Sequence, residues 1–107
     1  KAIMEAIIMR EITSEAKFYF ASNKKFKKSN TEVKVTEDLT ALYLFGNLIA
    51  IKDRNTGEVK FTLAGWNSVT TRERLKAIGV QISSRQGIPY YNGKQIDCYG
   101  WNIKEVA

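Results

Sequence analysis

Residues 40–64 read TALYLFGNLIAIKDRNTGEVKFTLA, and their punctuation decides the fold. Three runs rich in apolar, β-branched and aromatic residues, 40–45, 48–53 and 58–64, are parted by short groups of turn formers. Residues of this kind suit a pleated, half-buried surface, so each run reads as a strand. Gly46-Asn47 suits a two-residue type II′ turn with glycine at the positive φ, and Asn55-Thr56-Gly57 suits a longer turn. A meander is the simplest assembly. Just upstream, Thr31–Val35 alternates polar and β-branched residues and adds another strand.

Both flanks of this stretch read as helix. From residue 2 to about residue 21, Met4, Ile8, Ile12 and Ala16 recur at every fourth position, with Ile3 and Ile7 beside them. Glu5, Arg10, Glu11 and Glu15 fall largely off that stripe, as in a helix with one face buried, and Ser22-Asn23 offers a stop. On the other side, Thr70-Thr71-Arg72-Glu73 has the form of a capping box and predicts a helix beginning at Thr70. Gly79 is placed to close that helix in the left-handed region, which lets Val80 touch Leu75. Residues 80–85 and 88–91 are then extended, and Asn92-Gly93 signals a type I′ hairpin leading into residues 94–103. The expected fold is α+β: an N-terminal helix, an antiparallel meander of three to four strands, a second short helix and a C-terminal β-hairpin. With 107 residues, 44% of them hydrophobic, we expect one core and a single domain over 1–107.

Composition narrows the function classes. Histidine is absent, which removes the commonest general base and transition-metal ligand. Triads and zinc sites are therefore not expected, and the chain reads as a non-enzyme with no metal or cofactor. Glu58-Val59-Lys60 after Asp38 or Asp53 has the order of a metal-dependent nuclease motif, but so short a match is common by chance. Asp53 is expected instead to pair with Lys60 or Arg54 as ordinary surface charge. The one cysteine, Cys98, cannot close an internal disulfide, which fits a reducing, cytoplasmic compartment. The apolar stretches at 3–9 and 42–51 are broken well before the ~20 residues of a membrane span. Because the chain opens on Lys1, further residues upstream are expected.

Charge is unevenly spread. Of the net +6, residues 17–34 supply +5, from six lysines against Glu32 alone. Lysines attract phosphates and aromatics stack on bases, so Lys24, Lys25, Lys27 and Lys28, with Phe26 between them, are candidate nucleic-acid contacts, DNA or RNA. Against this, the run can be a solvated helix end with Phe18 and Phe20 entering the core. Asn67, Ser68, Thr70 and Thr71 crowd the start of the second helix beside Arg72 and Arg74, a constellation that attracts anions or simply caps the helix. Trp66 is a further candidate for base stacking. Of Trp66, Tyr90, Tyr91, Tyr99 and Trp101, at least half are expected in the core.

Asn30-Thr31-Glu32-Val33, then residues 42–50 with Leu42-Tyr43-Leu44-Phe45-Gly46-Asn47, then residues 63–75 with Gly65-Trp66 leading into Thr70-Thr71-Arg72-Glu73-Arg74-Leu75, form a pattern. It resembles a family of small tailed-bacteriophage proteins, over about residues 30–101. Members often carry a histidine where this chain has Phe45, so a role for that histidine does not carry over. The resemblance implies a phage protein working in bacterial cytoplasm and implies no activity. Two functions are then open: an accessory protein that binds nucleic acid, or a protein-binding inhibitor of a bacterial host or defence factor. The apolar first helix also makes a homodimer plausible.

Overall fold

The computed structural model describes residues 2–105, with side chains described from residue 11 onward. In chain order the elements are α1 (Ala2–Ser22), β1 (Phe26–Lys28), β2 (Thr31–Val35), β3 (Leu39–Leu44), β4 (Asn47–Asp53), β5 (Val59–Phe61), α2 (Val69–Ala77), β6 (Ile82–Arg85), β7 (Ile88–Tyr91), β8 (Lys94–Gln95) and β9 (Asn102–Ile103). The predicted α+β order of helix, meander, short helix and hairpin is what the chain adopts. Strands β1 to β5 form an antiparallel meander in sequence order, β9 joins β5 at the far border, and β6, β7 and β8 make a separate three-stranded sheet.

Alternation decides which face of the large sheet is dry. Thr31 and Val33 of β2 are buried while Glu32 and Lys34 are not; Thr40, Leu42 and Leu44 of β3 are buried while Ala41 and Tyr43 are half-buried. Val33, Leu42 and Leu44 share one cluster with Ala16 and Phe20 of α1 and Leu75 of α2, and Ile12, four residues before Ala16, is buried as well. Removing each such large apolar side chain from water contributes about 1.5–3 kcal/mol. The stripe members Met4 and Ile8 lie outside the described side chains.

A bulge between β3 and β4 changes the phase. Leu42 pairs with Ala50, but Tyr43 pairs with Leu48, so Ile49 is the extra residue. Ile49 and Ala50 are consecutively buried, and Leu48 and Ile51 both end on the opposite face, beside Tyr43 and Ala41. That face carries no described helix.

Several local expectations are corrected. The two-residue β3–β4 turn is centred on Phe45 and Gly46, at φ 51° and 77°, with Asn47 already paired to Leu44; two positive φ values mark a type I′ turn and not the II′ form. Helix α2 starts one residue before Thr70, and its cap is Ser68, whose Oγ accepts the Thr71 amide at 3.1 Å. Its other end is as expected: Gly79 at φ 94° lets the Val80 amide reach the Leu75 carbonyl at 3.0 Å. Residues 94–103 are not one arm but two strands in different sheets. Lys24 to Lys28 is not a helix end, because α1 stops at Ser22 and Asn23, at φ 57°, turns the chain into β1.

Candidate nucleic-acid interface

Because Phe26–Lys28 is a strand, its side chains part by position. Phe26, opposite buried Val33, turns to α1 and stacks on Tyr19 with ring centroids 4.7 Å apart. Lys28, opposite buried Thr31, turns the same way and meets Glu15 at 3.0 Å; that hydrogen bond, with the carboxylate's charge, holds its ammonium above the usual lysine range. Lys27 sits opposite Glu32 on the other face. Lys25, Lys27, Glu32 and Lys34 line one shallow depression there, and Lys34 Nζ lies 4.6 Å above the Tyr43 ring. Among the described residues, Lys25, Lys27 and Lys34 have no ion pair within 4.0 Å. Lys24 is exposed, with its Nζ 5.7 Å from the Phe18 ring.

Cross-strand partners share a face, so the register maps this open surface. One row runs Lys27, Glu32, Tyr43, Leu48, and the next runs Lys34, Ala41, Ile51, Lys60, Ile103. Positive charge lies along β1 and β2, and apolar surface lies across β3 and β4.

The arginines do not join it. Arg74 is completely buried, donating from Nε to Thr31 Oγ1 at 3.0 Å and from Nη1 to Thr13 Oγ1 at 2.7 Å. Burial lowers its pKa, with Glu73 opposing, yet a guanidinium stays charged. Its expected contact with phosphate is therefore corrected: the side chain ties α2 to α1 and β2. Arg72 donates from Nη1 to Asn67, at 3.0 Å to the backbone oxygen and 2.5 Å to Oδ1, and Asn67 in turn holds Ser84 and Gly87 at the β6–β7 turn. It braces the loop before α2, on the side of the second sheet.

The aromatic expectations divide. Phe20 is buried but Phe18 is 54% exposed. None of the five later aromatics is fully buried: Tyr90 and Tyr91 are half-buried, and Trp66, Tyr99 and Trp101 are exposed. Trp66 and Phe45 flank an uncharged cleft of about 480 Å³ that also reaches Leu44, Leu63 and the start of α2. Beside it the Tyr99 ring lies over Gly65, where an added Cβ would meet ring carbon Cε1 at 2.5 Å. The carboxylates of the nuclease-like pattern are spoken for: Asp53 Oδ1 accepts the Asn55 amide at 2.8 Å, and Glu58 faces Lys60 at 3.9 Å. Asp53 thus closes its own turn and does not pair with Lys60 or Arg54, and Arg54 donates to the carbonyls of Thr36, Glu37 and Leu39. Among the described residues, no helix is long and apolar enough to cross a membrane.

The Gly65-Trp66 to Arg74-Leu75 segment that carries the phage resemblance thus builds the cleft wall, the α2 cap and the buried arginine. A family model described as Kyanoviridae Gp96 protein matches residues 9–102. This chain belongs to the Kyanoviridae Gp96 family. It is a tailed-phage protein family, as the sequence pattern implied. No curated protein and no solved structure matches the chain. In this Gp96-family chain, Lys34 and Tyr43 belong to the open face although charge density alone did not single them out. Period-two alternation in Thr31–Val35 and in 40–45 carries the signal that finds both.

Proposed function

We propose that this phage protein is a non-enzymatic accessory factor that binds nucleic acid in the bacterial cytoplasm, through the basic side of its open sheet face. The observation that supports this reading is the grouping of Lys25, Lys27 and Lys34 around one depression with only Glu32 among them. Three ammonium groups within one patch attract phosphates and release counterions, so affinity must fall with salt. For three phosphate contacts the log–log slope is expected between about −2 and −3, at roughly 0.7 per contact for single strands and 0.9 for duplex. Lys27→Ala reduces that slope by about one. Anisotropy titrations of labelled oligonucleotides at several salt concentrations test this. Absence of binding at low salt, or binding indifferent to salt, rejects it.

A second reading is a protein-binding inhibitor of a host or defence factor, favoured by one observation. The cleft between Phe45 and Trp66 has no charged lining, and exposed aromatics are typical anchors of protein contacts. A bacterial partner that is retained after nuclease treatment, and lost on Trp66→Ala, favours this class over the first.

A further inference from the structure

The open face is not uniformly polar, and the apolar part needs a reason. An antiparallel sheet with one face in water normally alternates apolar-in and polar-out. Here the central strands place Ala41 and Tyr43 of β3 beside Leu48 and Ile51 of β4 on the outer face. The bulge at Ile49 is what brings Leu48 and Ile51 to the same side, and bulges re-aim side chains in this way next to working surfaces. Lys34 Nζ sits over the Tyr43 ring at 4.6 Å, so a base that stacks there takes the place of the ammonium, which a neighbouring phosphate can then receive.

We propose that this face is a stacking platform for single-stranded nucleic acid, in which Tyr43 receives a base and Lys25, Lys27 and Lys34 hold the neighbouring phosphates. The inference rests on the nucleic-acid reading above and narrows it to one strand. A duplex offers this surface only sugar and phosphate, because its bases are stacked on one another, so Leu48, Ile51 and the Tyr43 ring would be left against charge. A single strand offers base faces to the apolar half and phosphates to the basic half at once. Any base has a π face, so the platform is tolerant of sequence. Neighbouring strands lie about 4.8 Å apart, so the path from Lys27 on β1 through Tyr43 on β3 to Lys60 on β5 spans roughly 19 Å, enough for a short run of nucleotides. The phosphate half supplies the charge complementarity that selects a polyanion over a second copy of this basic chain.

The test compares fluorescein-labelled oligothymidylate of about 12 nucleotides with a duplex of equal length, at low salt, for wild type and four variants. Wild type is expected to bind the single strand more tightly. Tyr43→Phe keeps that affinity, while Tyr43→Ala weakens it about tenfold without changing the salt slope. Lys27→Ala changes the slope instead. Circular dichroism melts establish that each variant is folded; should Tyr43→Ala unfold, Ile51→Gln, which leaves no cavity and removes apolar surface from the same face without adding charge, carries the comparison. If Tyr43→Ala and Ile51→Gln bind as wild type, or duplex is preferred, while Lys27→Ala still weakens binding, the platform is wrong and the basic-patch reading survives. If neither nucleic acid binds, that reading falls and the platform with it. A dimer in sedimentation that Ile51→Gln disperses also overturns the proposal, since the face would then be covered by another copy.

Discussion

Arg74 and Arg72 are two residues apart, and their fates differ completely. On a helix, two positions are about 200° of rotation, so a pair that looks like one cluster in the sequence points to opposite sides. Arg74 goes inward to Thr31 and Thr13, and Arg72 goes to Asn67. Arg74→Ala removes a buried side chain together with the hydrogen bonds it gives two threonines, and is expected to cost about 3 kcal/mol. Arg74→Met keeps the volume and removes a desolvated charge, so it is expected within about 1–2 kcal/mol of wild type. Urea midpoints of the two variants measure the difference; equal losses would mean that the charge, and not the packing, holds the site. Phe45 is a second case in which local conformation was hidden. An aromatic at φ 51° is unusual, whereas histidine is among the residues enriched at positive φ, so the histidine that the phage resemblance leads one to expect there suits the same turn.

At the scale of elements, the strands, helices and turns were mostly legible because periodicity and punctuation agreed. Gly79 and Asn92-Gly93 sit where their backbone freedom is used. The start of α2 was misjudged because Ser68 and Thr70 are both good caps, and only the chain's path chooses between them. Ser68→Ala is therefore expected to destabilise by about 1 kcal/mol and Thr70→Ala by clearly less, as read from thermal melts. The reverse order would restore the capping box. Strand β1 was missed because lysines are weak strand formers, and its pairing to β2 comes from the turn at Ser29-Asn30. The end of α1 adds a pH-dependent term. Lys52 Nζ donates to the Phe20 carbonyl at 2.7 Å in the last turn of α1, and burial, aided by Arg54, lowers its pKa below 10.5. A lowered lysine pKa means that the folded state holds this proton less well than the unfolded chain. The resulting penalty is present at low pH and is relieved as pH rises through the folded pKa towards 10.5. The stability of wild type relative to Lys52→Met should thus increase with pH in the window just below 10.5. A difference that is flat or falling there would contradict the assignment.

Across the whole molecule, what matters is whether charge is gathered or merely abundant. Reversing Lys25, Lys27 and Lys34 to glutamate removes six units and takes the net charge from +6 to 0. Reversing the exposed Lys76, Arg85 and Lys94, on α2 and the second sheet, gives the same total. If the open face is the interface, the first set abolishes nucleic-acid binding and the second leaves most of it, with both proteins folded by circular dichroism. Similar losses from both sets would reduce the interaction to overall attraction. The sequence carried the amount and rough location of the charge, but not its division between two faces, which needed the strand register. Nor could it reveal β9, since two residues have no period to read; the return of the chain to β5 is a tertiary event.

Strand β1 forms one border of the large sheet, is three residues long, and carries Lys27 on one side of its backbone and Lys28 on the other. Its outer amides and carbonyls are a template on which another strand could pair, and the Lys27 ammonium makes that docking repulsive for another copy of the same strand, whereas Lys28 is already met by Glu15. Charge at this border disfavours edge-to-edge growth whatever else Lys27 touches. Any polyanion that neutralised that charge would lift the repulsion, which ties colloidal stability to the occupancy proposed for this face.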